Sequence, residues 1–260
     1  MKAPLTCLLA VIGFAPKAIS HYNLEALVVN GVITQPYEYV RRTTNGWSPI
    51  GDVTSPDMIC NEGGLTDDTM AATKTYTVSP GEQVGFTVNI EIGHPGPLAV
   101  YLSRAPDGVA ANAYKGDGDW FKAYAMTYTH IDQYDIHWGN FYDGQPIRNF
   151  TFQLPQDLPP GEYLMRGEHV GLHQADTFGQ AQFYIGCAQL KVTGYGNGVP
   201  GPTVKIPGVY DGYEPGLLVK INNPVPTSYE APGPATWPNG CEDGTPNLIG
   251  EVSDGDCRGE

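Results

Sequence analysis

His21 follows Ala18-Ile19-Ser20, which has small residues at the two positions a signal peptidase inspects. Cleavage after Ser20 makes His21 the amino-terminal residue. It then offers a metal two nitrogens, its α-amine and its ring, in one plane. A second histidine would complete a three-nitrogen, T-shaped site, and nitrogen donors in a tetragonal arrangement favour copper(II). The amine must lose its proton to bind, so affinity should fall with acid. Position alone leaves another reading open: a histidine that happens to follow the signal, at a terminus of the kind that is usually disordered.

Other residues of metal-site type lie further along. His94 opens His94-Pro95-Gly96-Pro97, a tight turn before Leu98–Leu102, and reads equally well as a solvated loop histidine. His173 closes a strand-like segment, Tyr163–His173. In Ala181-Gln182-Phe183-Tyr184-Ile185, alternation puts Gln182 and Tyr184 on one face and Phe183, Ile185 and Cys187 on the other. The second face reads as core. The first carries an amide and a phenol, so it meets solvent or faces a polar site.

The elements that must position these residues are strands. Val84–Ile90, Phe150–Leu154 and Phe183–Cys187 alternate with period two, and Leu98–Leu102 reads as a shorter, more buried strand. No long stretch keeps an apolar stripe of period 3.6. Many short strands between glycines (33) and prolines (23) imply an all-β, immunoglobulin-like or fibronectin type III-like β-sandwich with long loops. The loops run from about 34 to 68, 105 to 145 and 194 to 234, and loops of such length usually carry function.

Met1-Lys2, the apolar run Leu8–Phe14 and Ala18-Ile19-Ser20 together read as a secretory signal peptide, residues 1–20. The apolar run is far shorter than the ~20 residues of a membrane span. Residues 21–260 are enough for one domain with a sizeable core. The formal net charge of −14 argues against nucleic acid and anionic membrane as partners, and suits a neutral substrate or plain solubility. Cys7 leaves with the signal. The remaining Cys60, Cys187, Cys241 and Cys257 read as two disulfides with three possible connectivities, expected as Cys60–Cys187 and Cys241–Cys257. Asn149-Phe150-Thr151 is a glycosylation sequon. Residues 238–260 are polar and look like an appendage closed by the last two cysteines, too short for a separate binding module.

As a set, these stretches resemble auxiliary activity family 9, the lytic polysaccharide monooxygenases formerly grouped as glycoside hydrolase family 61. The resemblance runs through His21 with Leu27–Gly31, His94–Pro97 with Val100–Ser103, and Gly118–Lys122. It continues through Leu158–Arg166 to His173, Ala181–Tyr184, Cys187, Pro207–Tyr210, Glu214–Leu217 and Ala231–Pro234. It covers residues 21 to 237, the expected catalytic domain, and leaves 238–260 outside.

The resemblance implies that His21 and His94 form a brace for one copper ion and that Tyr184 is its axial tyrosine. His173 and Gln182 would hydrogen-bond the oxygen species, and Cys60 and Cys187 match the family's cystine. His130, His137 and His169 match no ligand position. The implied enzyme is a secreted monomer acting on crystalline cellulose with oxygen or hydrogen peroxide and an external electron donor. Hydrogen is removed from C1 or C4 of a glycosidic linkage, and the hydroxylated carbon then eliminates. Tyr210 and Tyr213, with Tyr37 or Tyr39, are candidates to stack on sugar faces, ordinary loop packing being the other reading. The alternatives are activity on xylan or another β-glucan, a non-catalytic copper- or carbohydrate-binding sandwich, and a hydrolase using paired carboxylates, for which no acid/base motif stands out. If the amine is a ligand, a form extended by one Met before His21 will lose tight copper binding. Calorimetric copper titration of the two forms checks this, and equal affinity counts against an amine ligand.

Overall fold

A computed structural model describes residues 21–249. The expected signal peptide and Cys257 lie outside these residues. The strands, in chain order, are β1 (Leu24–Val29), β2 (Val32–Ile33), β3 (Tyr76–Val78), β4 (Gln83–Val88), β5 (Leu98–Arg104), β6 (Trp120–Met126) and β7 (Tyr128–Ile131). They continue as β8 (Ile136–Trp138), β9 (Phe141–Tyr142), β10 (Gln145–Pro146), β11 (Asn149–Gln153), β12 (Gly161–Gly171), β13 (Gln182–Val192) and β14 (Thr203–Val204). One sheet has the order β11-β4-β1-β2 and the other β14-β6-β5-β12-β13-β3. The β7–β8 and β9–β10 pairs form separate ribbons. The two sheets pack as the expected sandwich.

Apolar side chains from both sheets fill the space between them, among them Leu27, Phe86 and Phe150 from one and Val100, Met165 and Leu190 from the other. In β1 a bulge between Leu24 and Ala26 shifts the phase, so Leu24, Leu27 and Val29 all reach this core. The six-stranded sheet is buried on its other face as well. There Tyr101, Leu164, Phe183, Ile185 and Cys187 pack beneath the long loops, against Met58, Ile59, Tyr114 and Leu217. On β13 the Phe183, Ile185 and Cys187 face is core, as expected, and burial on both faces removes solvent as an option for the Tyr184 face. The face carrying Tyr184 is the interior of the sandwich, and the Phe183 face is covered by loops. It also explains β6, which lies within the stretch expected as a loop from 105 to 145. Trp120-Phe121-Lys122-Ala123-Tyr124-Ala125-Met126 has no polar face to alternate with, because nearly all of it is buried.

Three ties, one covalent and two polar, hold the loop layer down. The Cys60–Cys187 disulfide forms as expected. Buried Arg41 donates to the carbonyls of Ala111 (3.0 Å) and Tyr114 (2.7 Å) and to Gln189 (3.0 Å). Buried Arg166 pairs with Glu168 at 2.5 Å, and Glu168 accepts from the Tyr210 hydroxyl at 2.7 Å. Cys241 is disulfide-bonded. Residues 238–249 lie against the sandwich: Asn247 accepts from Thr151 N (2.8 Å) and Oγ1 (3.1 Å), and Asp243 accepts from Thr127 N (2.8 Å).

β1 reaches the six-stranded sheet through a gap in its side chains. Gly167 and Gly186 face each other across β12 and β13, and Leu24 packs onto them. A Cβ at Gly186 would lie 2.8 Å from Leu24 Cβ and from its carbonyl oxygen, and one at Gly167 would lie 2.5 Å from Leu24 Cδ2. Glycine within a strand marks such a close approach. Gly186→Val will therefore lever β1 off the sheet, three residues from His21. The expected cost is about 1–3 kcal/mol from overpacking, and any copper binding that uses His21 should weaken with it. Chemical denaturation and copper titration of the variant check this.

Candidate metal centre

Three segments converge at one end of the sandwich. The residues leading into β1 bring His21 and Tyr22, the turn before β5 brings His94, and the β12–β13 hairpin brings His173, Gln182 and Tyr184. The ring centroids of His21 and His94 are 6.0 Å apart, and they lie 6.1 and 5.7 Å from that of Tyr184. His173, expected beside the site, stacks on His94 at 4.0 Å. The Tyr184 hydroxyl donates to Gln182 Oε1 at 2.8 Å, which commits the acceptor end of that amide and leaves its donor end available.

Backbone chemistry fixes the His94 turn. Leu172 N donates to Pro95 O at 2.8 Å and Val170 N to Pro97 O at 3.0 Å, so His94–Pro97 is joined to the end of β12. At Gly96, with φ +147°, a Cβ would fall 1.9 Å from Val170 O. From the other side, buried Asn140 donates to His94 O (2.7 Å) and Ile92 O (2.9 Å).

Aromatic groups support the site from within. Tyr22 stacks on Tyr184 at 4.3 Å, and its hydroxyl hydrogen-bonds Nδ1 of buried His169. His169 is thus packed into the interior. Burial, with the neighbouring His173 and His21, lowers the His94 pKa to about 4. Burial, reinforced by His94, takes His169 to about 3. Burial also lowers His173 and raises the Tyr184 phenol. Above about pH 5, then, His94 is neutral. Its Nε2 is buried without a hydrogen-bond partner. A buried, neutral imidazole nitrogen with no protein partner, close to a second imidazole, is the donor a borderline transition metal takes, and nitrogen donors suit copper.

The aromatic candidates divide. Tyr210 is buried, donates to Glu168 and contacts the Tyr101 hydroxyl at 2.8 Å; this corrects its assignment to a sugar-facing surface. Tyr39 packs on the core against Tyr76. Tyr37 is half-buried under Arg42. Tyr213 is exposed and stacks on Phe178 at 4.5 Å. Phe178 lies on the 172–181 connection that links His173 to Gln182. It was not singled out from the sequence, where the connection shows no periodicity. Asn140 and Tyr22 were also missed, because an amide in Trp138-Gly139-Asn140 and a tyrosine after a terminus carry no pattern. Asn149 stands on β11, its Oδ1 accepting from Ile249 N at 2.9 Å.

Residues 21–229 match the family model Auxiliary Activity family 9 (formerly GH61). The chain is 42% identical over 250 residues to the AA9 family lytic polysaccharide monooxygenase G of Aspergillus tamarii, covering 94% of this chain and 74% of that protein. It is 45% identical over 240 residues to the AA9 family lytic polysaccharide monooxygenase C of Emericella nidulans, covering 91% and 99%. Among solved structures, HiLPMO9B superposes with a TM-score of 0.69 at 27% identity, over 84% of this chain and 99% of that one.

Asn140 links the interior to the His94 turn. Asn140→Leu keeps the volume and removes both donors, leaving two carbonyls without their partner. The expected cost is about 1–3 kcal/mol for each carbonyl left buried, with copper affinity about tenfold weaker. Urea denaturation and copper titration read the two effects, and an unchanged affinity would detach Asn140 from the metal site.

Proposed function

This chain belongs to auxiliary activity family 9 and is a monooxygenase that cleaves polysaccharide oxidatively; we propose that it acts on cellulose, with one copper ion held by His21 and His94. The buried, unpartnered Nε2 of His94 beside the His21 ring carries the metal assignment. Cleavage after Ser20 adds the His21 amine as a third nitrogen, so the active form is a secreted chain without residues 1–20. Copper, when bound, supplies the one-electron chemistry that oxygen or hydrogen peroxide requires, fed by an external donor.

The chain's own groups do the rest. Tyr184, kept protonated by burial, donates to Gln182 and fixes the amide so that its NH₂ faces the co-substrate as donor. His173, stacked on His94, adds an exposed imidazole at the same place. Tyr213 and Phe178 form an exposed aromatic pair tied to the site by the 172–181 connection. They offer stacking faces to sugar rings, which suits a neutral polymer and an acidic protein. Residues 21–237 form the catalytic domain of a monomer, and Asn149 is its glycan acceptor.

Product analysis tests the whole. Copper-loaded mature protein with ascorbate and crystalline cellulose should release oligosaccharides with lactone or ketone ends. Purely hydrolytic ends would overturn the reading, and oxidised products from xylan alone would replace the substrate. Gln182→Leu should keep near-normal copper affinity while product falls about 10–100-fold. Full activity would reduce Gln182 to strand surface.

A further inference from the structure

Among the described residues, one group of three metal-donor side chains converges: His130, Asp132 and His137. It lies on the β7–β8 ribbon, apart from His21 and His94. His130 and His137 are register partners across the ribbon, with ring centroids 4.0 Å apart and rings within 12° of parallel. Asp132 sits in the turn that joins the strands. Backbone N–H groups of Tyr134 (2.7 Å) and Asp135 (3.0 Å) hold its Oδ1. That leaves Oδ2 against His137 Nε2 at 3.0 Å. One ligand atom from each of the three residues lies within 4.8 Å of the others. All three side chains are exposed, so an ion reaches them without any opening of the fold.

We propose that the β7–β8 ribbon is a second metal site, in which His130, His137 and Asp132 take a divalent transition-metal ion of the zinc or copper type. Two imidazoles and one carboxylate are a donor set such ions accept, with water filling the remaining positions. The hydrogen bond between His137 and Asp132 holds two ligands at ion-pair distance, and an ion replaces the proton they share. The backbone amides pin the carboxylate and keep it ionised: the N–H of Tyr134 first, then His137 and the N–H of Asp135, bring the Asp132 pKa down to about 2. Cross-strand pairing holds the histidines as neighbours. The ribbon also borders the brace turn, since His137, Trp138 and Pro95 line one hollow.

The test is calorimetric titration of the mature protein with zinc sulfate, wild type beside His130→Gln/His137→Gln. The wild type should bind one equivalent more than the double variant, and Asp132→Asn should weaken that equivalent roughly tenfold or more. The comparison is a difference between two proteins, so it holds whatever His21 and His94 bind. Equal stoichiometry in the two proteins overturns the proposal. Should the double variant fail to fold, electron paramagnetic resonance of the wild type with two equivalents of copper(II) asks the same question. A second spectrum with imidazole nitrogen coupling supports the site. A spectrum of aqueous copper for the second equivalent overturns it.

Discussion

The grouping of His21, His94 and Tyr184 depends on how closely β1 approaches a sheet to which it does not belong. β1 hydrogen-bonds in the four-stranded sheet, yet its first residues must reach the six-stranded sheet, where His173, Gln182 and Tyr184 stand. Two glycines opposite one another make this possible by leaving bare backbone beneath Leu24. The bulge after Leu24 changes the facing of the residues around it, so the strand serves both sheets. Tyr22 then lies flat on Tyr184, and His21 falls beside His94. The placement of His21 is thus a packing result.

The second constraint is that the six-stranded sheet has no wet face. Its outer side is roofed by loops, and loops bring backbone carbonyls and amides that must find partners. The chain answers with buried cations and their partners: Arg41 on two carbonyls, Arg166 on Glu168, and Lys122 on Pro232 O at 2.8 Å. Burying such charges is costly, and an apolar replacement of similar volume is often no less stable. What the charges give here is direction. Tyr210 sits on Glu168, and the next residue, Asp211, accepts from Tyr213 N at 2.8 Å. The same stretch of chain therefore runs from a buried anchor to an exposed ring.

Legibility in the sequence followed the period-two signal. β4, β11 and β13 were evident because apolar and small or polar residues alternate in them, and β5 because it is a short, almost wholly apolar run. β6 was not, because burial on both faces leaves no alternation to see, and a lysine inside it argues for a surface that the fold does not have. The candidate metal-site residues were legible as a set only through a family likeness; singly, His94 and His173 carry no more signal than His130 or His137. The supports of the site were invisible for a different reason. Asn140, Phe178 and Tyr22 act through distance and orientation to residues far away in sequence, and such contacts leave no local pattern. Tyr210 was misplaced because an aromatic on a long loop looks exposed until its hydroxyl is seen to have a buried carboxylate to bond.

β11 is the outermost strand of the four-stranded sheet, and on its open side the residues beyond 238 supply the missing partners: Asn247 O for Thr151 N, and Ile249 N for the side chain of Asn149. An outer strand with free amides and carbonyls is a template for another copy of the same chain. Thr151 is instead fully buried, and Leu248 rests on the core. The segment past 238 therefore covers an edge that would otherwise offer its backbone groups to a second chain.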